Sequence, residues 1–221
     1  MFVDLKTARI FFDVIGAGLE PVGPDMAKRP TLIVLHGGPG YDHSTLRPYF
    51  DRFSDIAQVV YLDHRGCGRS SGGADSWTLD QWADDIADFC VALGIEAPIV
   101  FGQSFGGMVA MHYAARHPRG PAKVILSSTA ARFRLDATMD MMRTLGGEPA
   151  AELAEQFFTA PTEEVYDAYA KTCLPLYTQS TDPYAVAYRE RAMERPEVAV
   201  QFFGKVMMEM VLRAGLSSIT C

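Results

Sequence analysis

Phe101-Gly102-Gln103-Ser104-Phe105-Gly106-Gly107 decides the reading of this sequence. It contains the pattern G-x-S-x-G. The pattern stands directly after a run of strand character, Pro98-Ile99-Val100-Phe101, and directly before a helical stretch over 105–117 that Pro118 ends. A serine between such elements sits on a sharp turn, the context of a nucleophile elbow. Gly102 and Gly106 must be small there, because the backbone passes too close for side chains. The turn lifts the Ser104 hydroxyl above the strand ends. It also aims the free N–H groups of the helix N-terminus at any developing negative charge.

Working outward, three more apolar runs have strand length: Thr31-Leu32-Ile33-Val34-Leu35, Ala57–Leu62 and Lys123–Leu126. Such runs suit strands buried on both faces, as in a parallel sheet. Residues 2–6 and 9–14 read as two short strands able to form a hairpin. Residues 16–30 hold three Gly and three Pro and read as a loop. Thr78, followed three residues later by Gln81, has the capping-box pattern. Leu79, Trp82, Ile86, Cys90 and Leu93 then recur at helical spacing, and Gly94 stands at the expected stop. Repeated strand–helix–strand order predicts an α/β fold, with right-handed crossovers and a mostly parallel sheet flanked by helices.

After residue 130 the strand-like runs vanish. Helical segments are expected near 135–146, 149–159, 162–172, 183–193 and 196–214, three of them with a first-turn proline: Pro149, Pro183 and Pro196. This divides the chain into an α/β core over 1–130, an all-helical cap over 131–215 and the start of a return to the core over 216–221. The last helical segment carries Phe203, Val206, Met207, Met210 and Val211 on one face. That face is either core packing under the cap or a methionine-lined, adaptable substrate wall.

Two further loops follow predicted strands. His36-Gly37-Gly38-Pro39-Gly40 closes the 31–35 strand. A glycine loop there can turn backbone N–H groups inward, but Pro39 has none to give. Gly38 is therefore the expected oxyanion donor, with Phe105 the second. A phosphate loop is disfavoured, since no Lys-Ser/Thr follows. Asp63-His64-Arg65-Gly66-Cys67-Gly68-Arg69-Ser70 follows the 57–62 strand. All three loops lie at strand C-terminal ends and would converge on the sheet edge where open α/β folds bind ligands.

These three segments, in this order and spacing, resemble the α/β-hydrolase fold, and HGGPG with DxRGCGRS resembles its proline iminopeptidase-like branch. The resemblance runs from about residue 9 to the chain's end. It implies a serine hydrolase acting on a peptide, amide or ester bond. Ser104 would be the nucleophile, the His36–Gly40 loop would shape the oxyanion hole, and Asp63 and Arg65 would brace their loop. Cap helices would cover the pocket and select substrates. No metal and no organic cofactor is implied. The match departs at Phe105, where that branch usually has Trp, and at His64, where it usually has Gln.

A serine nucleophile needs a base and an acid to orient it, in the order Ser, Asp or Glu, His for this fold. Only His112 and His117 follow Ser104. Both lie on the next helix, roughly 12–20 Å along it at 1.5 Å per residue, too far to reach Ser104. His36 and His64 sit on site loops and read as structural, with a catalytic role the alternative. His43 belongs to the next turn and reads as exposed. The segment 214–221 resembles the family's passage from cap to core, with the acid and base still to come. The expectation is a truncated hydrolase lacking its C-terminal core strands, short by roughly 50–80 residues on ordinary element lengths. Strand 123–128 would then be an open apolar edge unless a second chain or partner protomer completes the sheet. The chain itself would be inactive or weakly active.

Composition agrees with one globular unit: 221 residues, 48% of them apolar and 21% charged. A net charge of −7 argues against a nucleic-acid partner. No apolar run approaches a membrane span, and charges near the N-terminus argue against a secretory signal. Four scattered cysteines suit a reduced, cytoplasmic protein with neither disulfide framework nor metal site. A small molecule or short peptide is the expected substrate. Two other functions fit the same fold: a catalytically inactive small-ligand-binding protein, and a lactone or C–C bond hydrolase. An aminopeptidase would also need a cap carboxylate for the substrate's amine. Glu163, Glu164, Glu190, Glu194 and Glu197 are available, or are simply solvated helix-face charges.

Overall fold

Strands Thr31–Leu35 and Gln58–Leu62 are buried along nearly their whole length, as strands covered on both faces must be. In the computed structural model, which describes residues 1–179, 182–212, 219 and 221, they form the centre of a six-stranded sheet. β1 (Phe2–Asp4) and β2 (Arg9–Ile15) make the expected antiparallel hairpin. β3 (Leu19–Val22) and β4 (Asp25–Lys28) stand apart as a two-stranded ribbon. β5 (Thr31–Leu35), β6 (Gln58–Leu62), β7 (Ile99–Gln103) and β8 (Lys123–Ser127) are mutually parallel, in the sheet order β1-β2-β6-β5-β7-β8. This is the α/β class that the sequence predicts.

The pleat sorts the core. Ile33, Leu35, Val60, Leu62 and Val100 join Trp82, Ile86 and Phe89 of α1 (Leu79–Leu93) and Val109 of α2 (Phe105–Arg116) in one cluster. Leu32, Val34, Val59 and Tyr61 join Leu46 and Ala57 in another. Alternate residues of a strand point to opposite faces, so each strand feeds both clusters. α1 begins as predicted, with the Thr78 hydroxyl accepting from the Gln81 N–H at 3.1 Å, and ends at Gly94 with φ 64°.

Residues 16–30 are not a plain loop. Pro21 lies inside β3, and Gly23 turns the chain with φ 61°. Proline excludes a residue from a central strand, but a free two-stranded ribbon has only edges, where proline is tolerated. β8 is the edge of the six-stranded sheet, with Ile125 and Leu126 48% and 46% exposed.

Beyond β8 all described elements are helical. α3 (Leu135–Thr159) is two helices merged across Gly147 (φ 76°), close to the expected break. α4 (Glu163–Thr172), α5 (Pro183–Glu190) and α6 (Pro196–Gln201) follow, the last two with first-turn prolines. The segment expected as a helix over 196–214 is shorter. It widens into a π-turn at Phe202–Val206, ends at Glu209, and Met210 is extended. An isolated antiparallel bridge from Val211 to Arg132 holds the chain there. Met207 and Met210 are buried and Phe203 packs on Phe157 and Phe158, whereas Val211 is exposed. The return to the core expected over 216–221 falls largely outside the described residues.

Arg65 locks the loop after β6 to α1. Its guanidinium is fully buried and pairs in bidentate fashion with Asp85 at 2.8 and 2.6 Å, donating also to the Thr7 carbonyl at 3.1 Å. Asp85→Ala leaves that charge buried without its carboxylate, and should cost about 3–5 kcal/mol. Asp80→Ala, which removes a partly exposed partner of Arg116, should cost under about 1 kcal/mol. Urea denaturation of both variants checks the contrast; equal losses would show that the buried pair carries no special weight.

Candidate active site

The strand–turn–helix junction at Ser104 has the geometry that the G-x-S-x-G pattern predicts. Ser104 lies at φ 50°, ψ −115°, a region that L-residues rarely enter. Four contacts impose it. The Ser104 N–H donates to the Ser127 carbonyl at 2.9 Å. The Ser104 carbonyl accepts from the Thr129 hydroxyl at 2.8 Å and from the N–H groups of Gly107 and Met108 at 3.0 and 3.1 Å. The glycines follow from packing. A Cβ on Gly102 would lie 2.3 Å from the Gly106 carbonyl oxygen, and one on Gly106 would lie 2.4 Å from that of Leu35. Gly107, which the pattern did not single out, is equally constrained by Thr129 at 2.7 Å.

Ser104 itself is half-buried rather than enclosed in the core. The Phe105 and Gly106 N–H groups open α2 and have no acceptor among the described residues. They are the free donors of a helix start. Below them the Phe105 ring is buried, in edge contact with Trp82 at 4.9 Å and Phe202 at 5.0 Å. Cap and core thus grip the same ring.

The glycine loop lies flush against the serine: a Cβ on Gly37 would be 3.3 Å from the Ser104 Cβ. Gly38 has φ 65°, Gly40 has φ 95°, and the Tyr41 N–H closes back on the Gly38 carbonyl at 3.0 Å. Pro39-Gly40 is the usual central pair of a type II turn. The cap clamps this loop. The Arg195 N–H donates to the Gly40 carbonyl at 2.9 Å, and its Nε donates to Gly68 at 3.1 Å.

The histidines are structural partners. His36 is wholly buried, with Nδ1 3.0 Å from the Gly37 carbonyl and Nε2 accepting the His64 N–H at 3.1 Å. His64 packs edge-on against Phe105 at 5.1 Å. Burial lowers the pKa of His36, and that of His64 well below the usual value, so both rings are neutral. His112 and His117 pair with Asp80 and Asp84 of α1. None of the five histidines is hydrogen-bonded to Ser104.

His43 is buried, whereas its place in a turn predicts exposure. Its Nδ1 lies 2.6 Å from Asp63, and its backbone N–H donates to the same carboxylate at 3.0 Å. A turn residue beside a buried acid is drawn in, which local sequence does not show. Burial opposes ionisation of Asp63, but the hydrogen bonds from His43 and from the Arg69 N–H outweigh it and hold its carboxyl below the usual range. Asp42, His43 and Asp63 bring ligand atoms within 4.8 Å of one another, the compact set a metal ion would need. The Arg69 guanidinium already supplies a cation there, 2.8 Å from Asp42 and 3.6 Å from Asp63.

Of the five cap glutamates, Glu194 reaches the loop. It faces the Tyr41 hydroxyl beside Tyr166, and burial followed by the Glu194 charge pushes the Tyr41 phenol up to about 12. The Tyr41 ring in turn covers Gly38, where a Cβ would lie 2.3 Å away. The sequence offered no means of choosing among the five, because only the fold brings residue 194 to residue 41.

A half-buried serine on a strained strand–turn–helix junction, faced by a glycine loop, is the feature around which this α/β fold is built. A family model of the alpha/beta hydrolase fold matches residues 30–192, and the chain belongs to that family. Within it the chain is similar to proline iminopeptidases. It is 33% identical over 141 residues to that of Clostridioides difficile (strain 630), covering 61% of this chain and 44% of the relative. It is 34% identical over 152 residues to that of Lactobacillus delbrueckii subsp. bulgaricus, covering 64% and 50%. The chain thus spans about half the length of the curated relatives it matches. Among solved structures it resembles proline iminopeptidase from Mycobacterium smegmatis (TM-score 0.73, 23% identity, 100% of this chain and 78% of that one). It also resembles a thermophilic esterase from Thermogutta terrifontis (TM-score 0.69, 22% identity, 100% and 77%). At such identities the structures establish the fold alone.

The elbow's glycines give a direct test. Gly102→Ala drives a methyl group into backbone and should cost about 3 kcal/mol. Gly94→Ala, where a Cβ meets nothing within 4 Å, should cost only about 1 kcal/mol, for its left-handed φ. Thermal melts of the two variants check the order; a Gly102 variant as stable as the Gly94 variant would contradict the close approach described above.

Proposed function

We propose that this chain carries the nucleophile half of a serine hydrolase of proline iminopeptidase type, acting on a peptide, amide or ester bond. The observation that carries the proposal is the left-handed Ser104 between the glycine loop and the free N–H groups of α2. In this reading the Ser104 Oγ attacks the substrate carbonyl. The amides of Gly38 and Phe105 hold the oxyanion, the amine or alcohol departs, and water hydrolyses the acyl-enzyme. Donors fixed before reaction need no reorganisation as charge develops, and removing one such donor costs about 10²–10³ in rate.

The proton of Ser104 must go to a base. The described hydrogen bonds commit His36, His43, His112 and His117 elsewhere, and His64 is buried against Phe105. Base and orienting acid are therefore assigned to none of these five. Glu194 is the carboxylate best placed to receive a substrate's free amine, next to Tyr41 on the glycine loop.

The test is hydrolysis of proline-β-naphthylamide against p-nitrophenyl acetate, by the 221-residue chain and by any longer product of the same reading frame. Ser104→Ala should lower turnover of both by about 10³-fold or more. Glu194→Gln should raise KM about tenfold for the prolyl substrate alone, the loss of one charge-assisted contact. Turnover that survives Ser104→Ala would refute the nucleophile. Tight binding of small apolar ligands without any turnover would favour the binding-protein reading. A preference for lactones or for C–C bonds would move the reaction class while keeping Ser104.

A further inference from the structure

Ser104 has a strained counterpart across the sheet. Ser128, the first residue after β8, has φ 47°, against 50° for Ser104. The two bends face each other. Ser127, just before the second bend, takes the Ser104 N–H on its carbonyl at 2.9 Å. Thr129, just after it, gives its hydroxyl to the Ser104 carbonyl at 2.8 Å. In a regular strand the carbonyls lie along the sheet and the side chains stand out of it. The bend at Ser128 swings the Thr129 side chain round, so that both backbone groups of Ser104 meet one three-residue segment. A non-glycine residue keeps such a φ only where its surroundings over-determine it.

The room for Thr129 comes from Gly107. A Cβ there would lie 2.7 Å from the Thr129 Cβ and Cγ2 and 2.8 Å from its Oγ1. Glycine inside a helix is unfavourable relative to alanine, and the G-x-S-x-G pattern is complete at Gly106. Position 107 forgoes helix propensity, and the result is the close approach of the threonine to Ser104. The Gly107 and Met108 N–H groups also reach the Ser104 carbonyl, but they belong to α2 and move with it. The Thr129 hydroxyl ties that carbonyl to the sheet. The segment also meets the cap: the Ala131 carbonyl accepts the Leu212 N–H at 3.0 Å, and Arg132 bridges to Val211.

The Ser104 carbonyl and the Phe105 N–H belong to one peptide group. That group is planar and trans, so its C=O and N–H point in opposite directions. Fixing the carbonyl therefore fixes the direction of the amide. A hydrogen bond accepted by the carbonyl also polarises the N–H and strengthens it as a donor. We propose that Thr129 is a positioning residue: its hydroxyl, held by the Ser128 bend and the gap at Gly107, aims the Phe105 amide at the oxyanion of the reaction. This rests on the serine-hydrolase reading given above and assigns Thr129 no contact with substrate.

The test replaces the Ser104 hydroxyl by a thiol, Ser104→Cys. A thiolate reacts with iodoacetamide by itself, so no general base is needed. Alkylation of each cysteine of the folded chain is followed by mass spectrometry from pH 5 to pH 9, with the exposed Cys221 as the reference thiol. Amides aimed at position 104 favour the thiolate, so this thiol should react at lower pH than Cys221. Thr129→Val, which keeps the shape and removes the hydroxyl, should move the profile back toward that of Cys221. It should slow alkylation at pH 7 about fivefold or more, the worth of one hydrogen bond. Thr129→Ser should restore the rate. Gly107→Ala, which favours the helix but crowds the threonine, should act like Thr129→Val. Melting curves check the folding of each variant, and where Thr129→Val fails to fold, Gly107→Ala against Thr129→Ser decides. A thiol at position 104 that titrates and reacts like Cys221 would overturn the proposal together with the hydrolase reading. A thiol that reacts at low pH yet ignores both Thr129→Val and Gly107→Ala would overturn the proposal and leave that reading standing. So would a Thr129→Ser variant as slow as Thr129→Val, since packing and not the hydroxyl would then set the rate.

Discussion

The backbone at Ser104 stands in a conformation that costs roughly 1–3 kcal/mol for a residue with a side chain. It persists because β7, α2 and the chain after β8 leave no other path. The Gly106 backbone meets the ends of β5 so closely that a methyl group would overlap the carbonyls of Leu35 and His36. The same approach brings Gly37 against Ser104. Thr129, from the segment after β8, closes the turn from the other side through the Ser104 carbonyl. Strand order, glycine placement and the glycine loop are thus consequences of one junction. A serine on a relaxed turn would require none of them.

Around that junction the buried charges are all matched. Arg65 meets Asp85, and Asp63 meets His43 and Arg69. His36 and His64 avoid the problem by staying neutral, since burial penalises the charged ring. A buried pair adds little net stability but is costly to break. These contacts therefore act mainly as registers: they fix the loop after β6 against α1 and against the turn at His43. The cap is fastened to the same frame by Arg195 on Gly40 and Gly68 and by Phe202 on Phe105. The cap and the glycine loop share contacts, so neither can shift far without the other.

Much of this was legible beforehand. The apolar runs of β5 to β7 suit strands buried on both faces of a parallel sheet, whereas β8, of the same pattern, is an edge strand with Ile125 and Leu126 exposed. Thr78, Gly94 and the first-turn prolines mark helix ends by local chemistry, which needs no tertiary partner. Residues 16–30 depart from the loop their composition predicts because Gly and Pro favour loops on average, while an isolated ribbon tolerates both. The burial of His43 is not legible locally because it depends on Asp63, twenty residues away. The last helix is shorter than its apolar spacing predicts because the bridge between Val211 and Arg132 takes over after Glu209.

The sequence by itself determined the order of strands and helices, the elbow and the need for glycine at 102 and 106, since these rest on steric limits within a few residues. Only the tertiary structure decided that Thr129 holds the Ser104 carbonyl and that Glu194, rather than four other acids, faces Tyr41. It alone decided that His43 is buried and fixed by Asp63. Each of these joins residues distant in the chain, and their meeting depends on how the cap folds over the sheet, a packing result that no local pattern encodes.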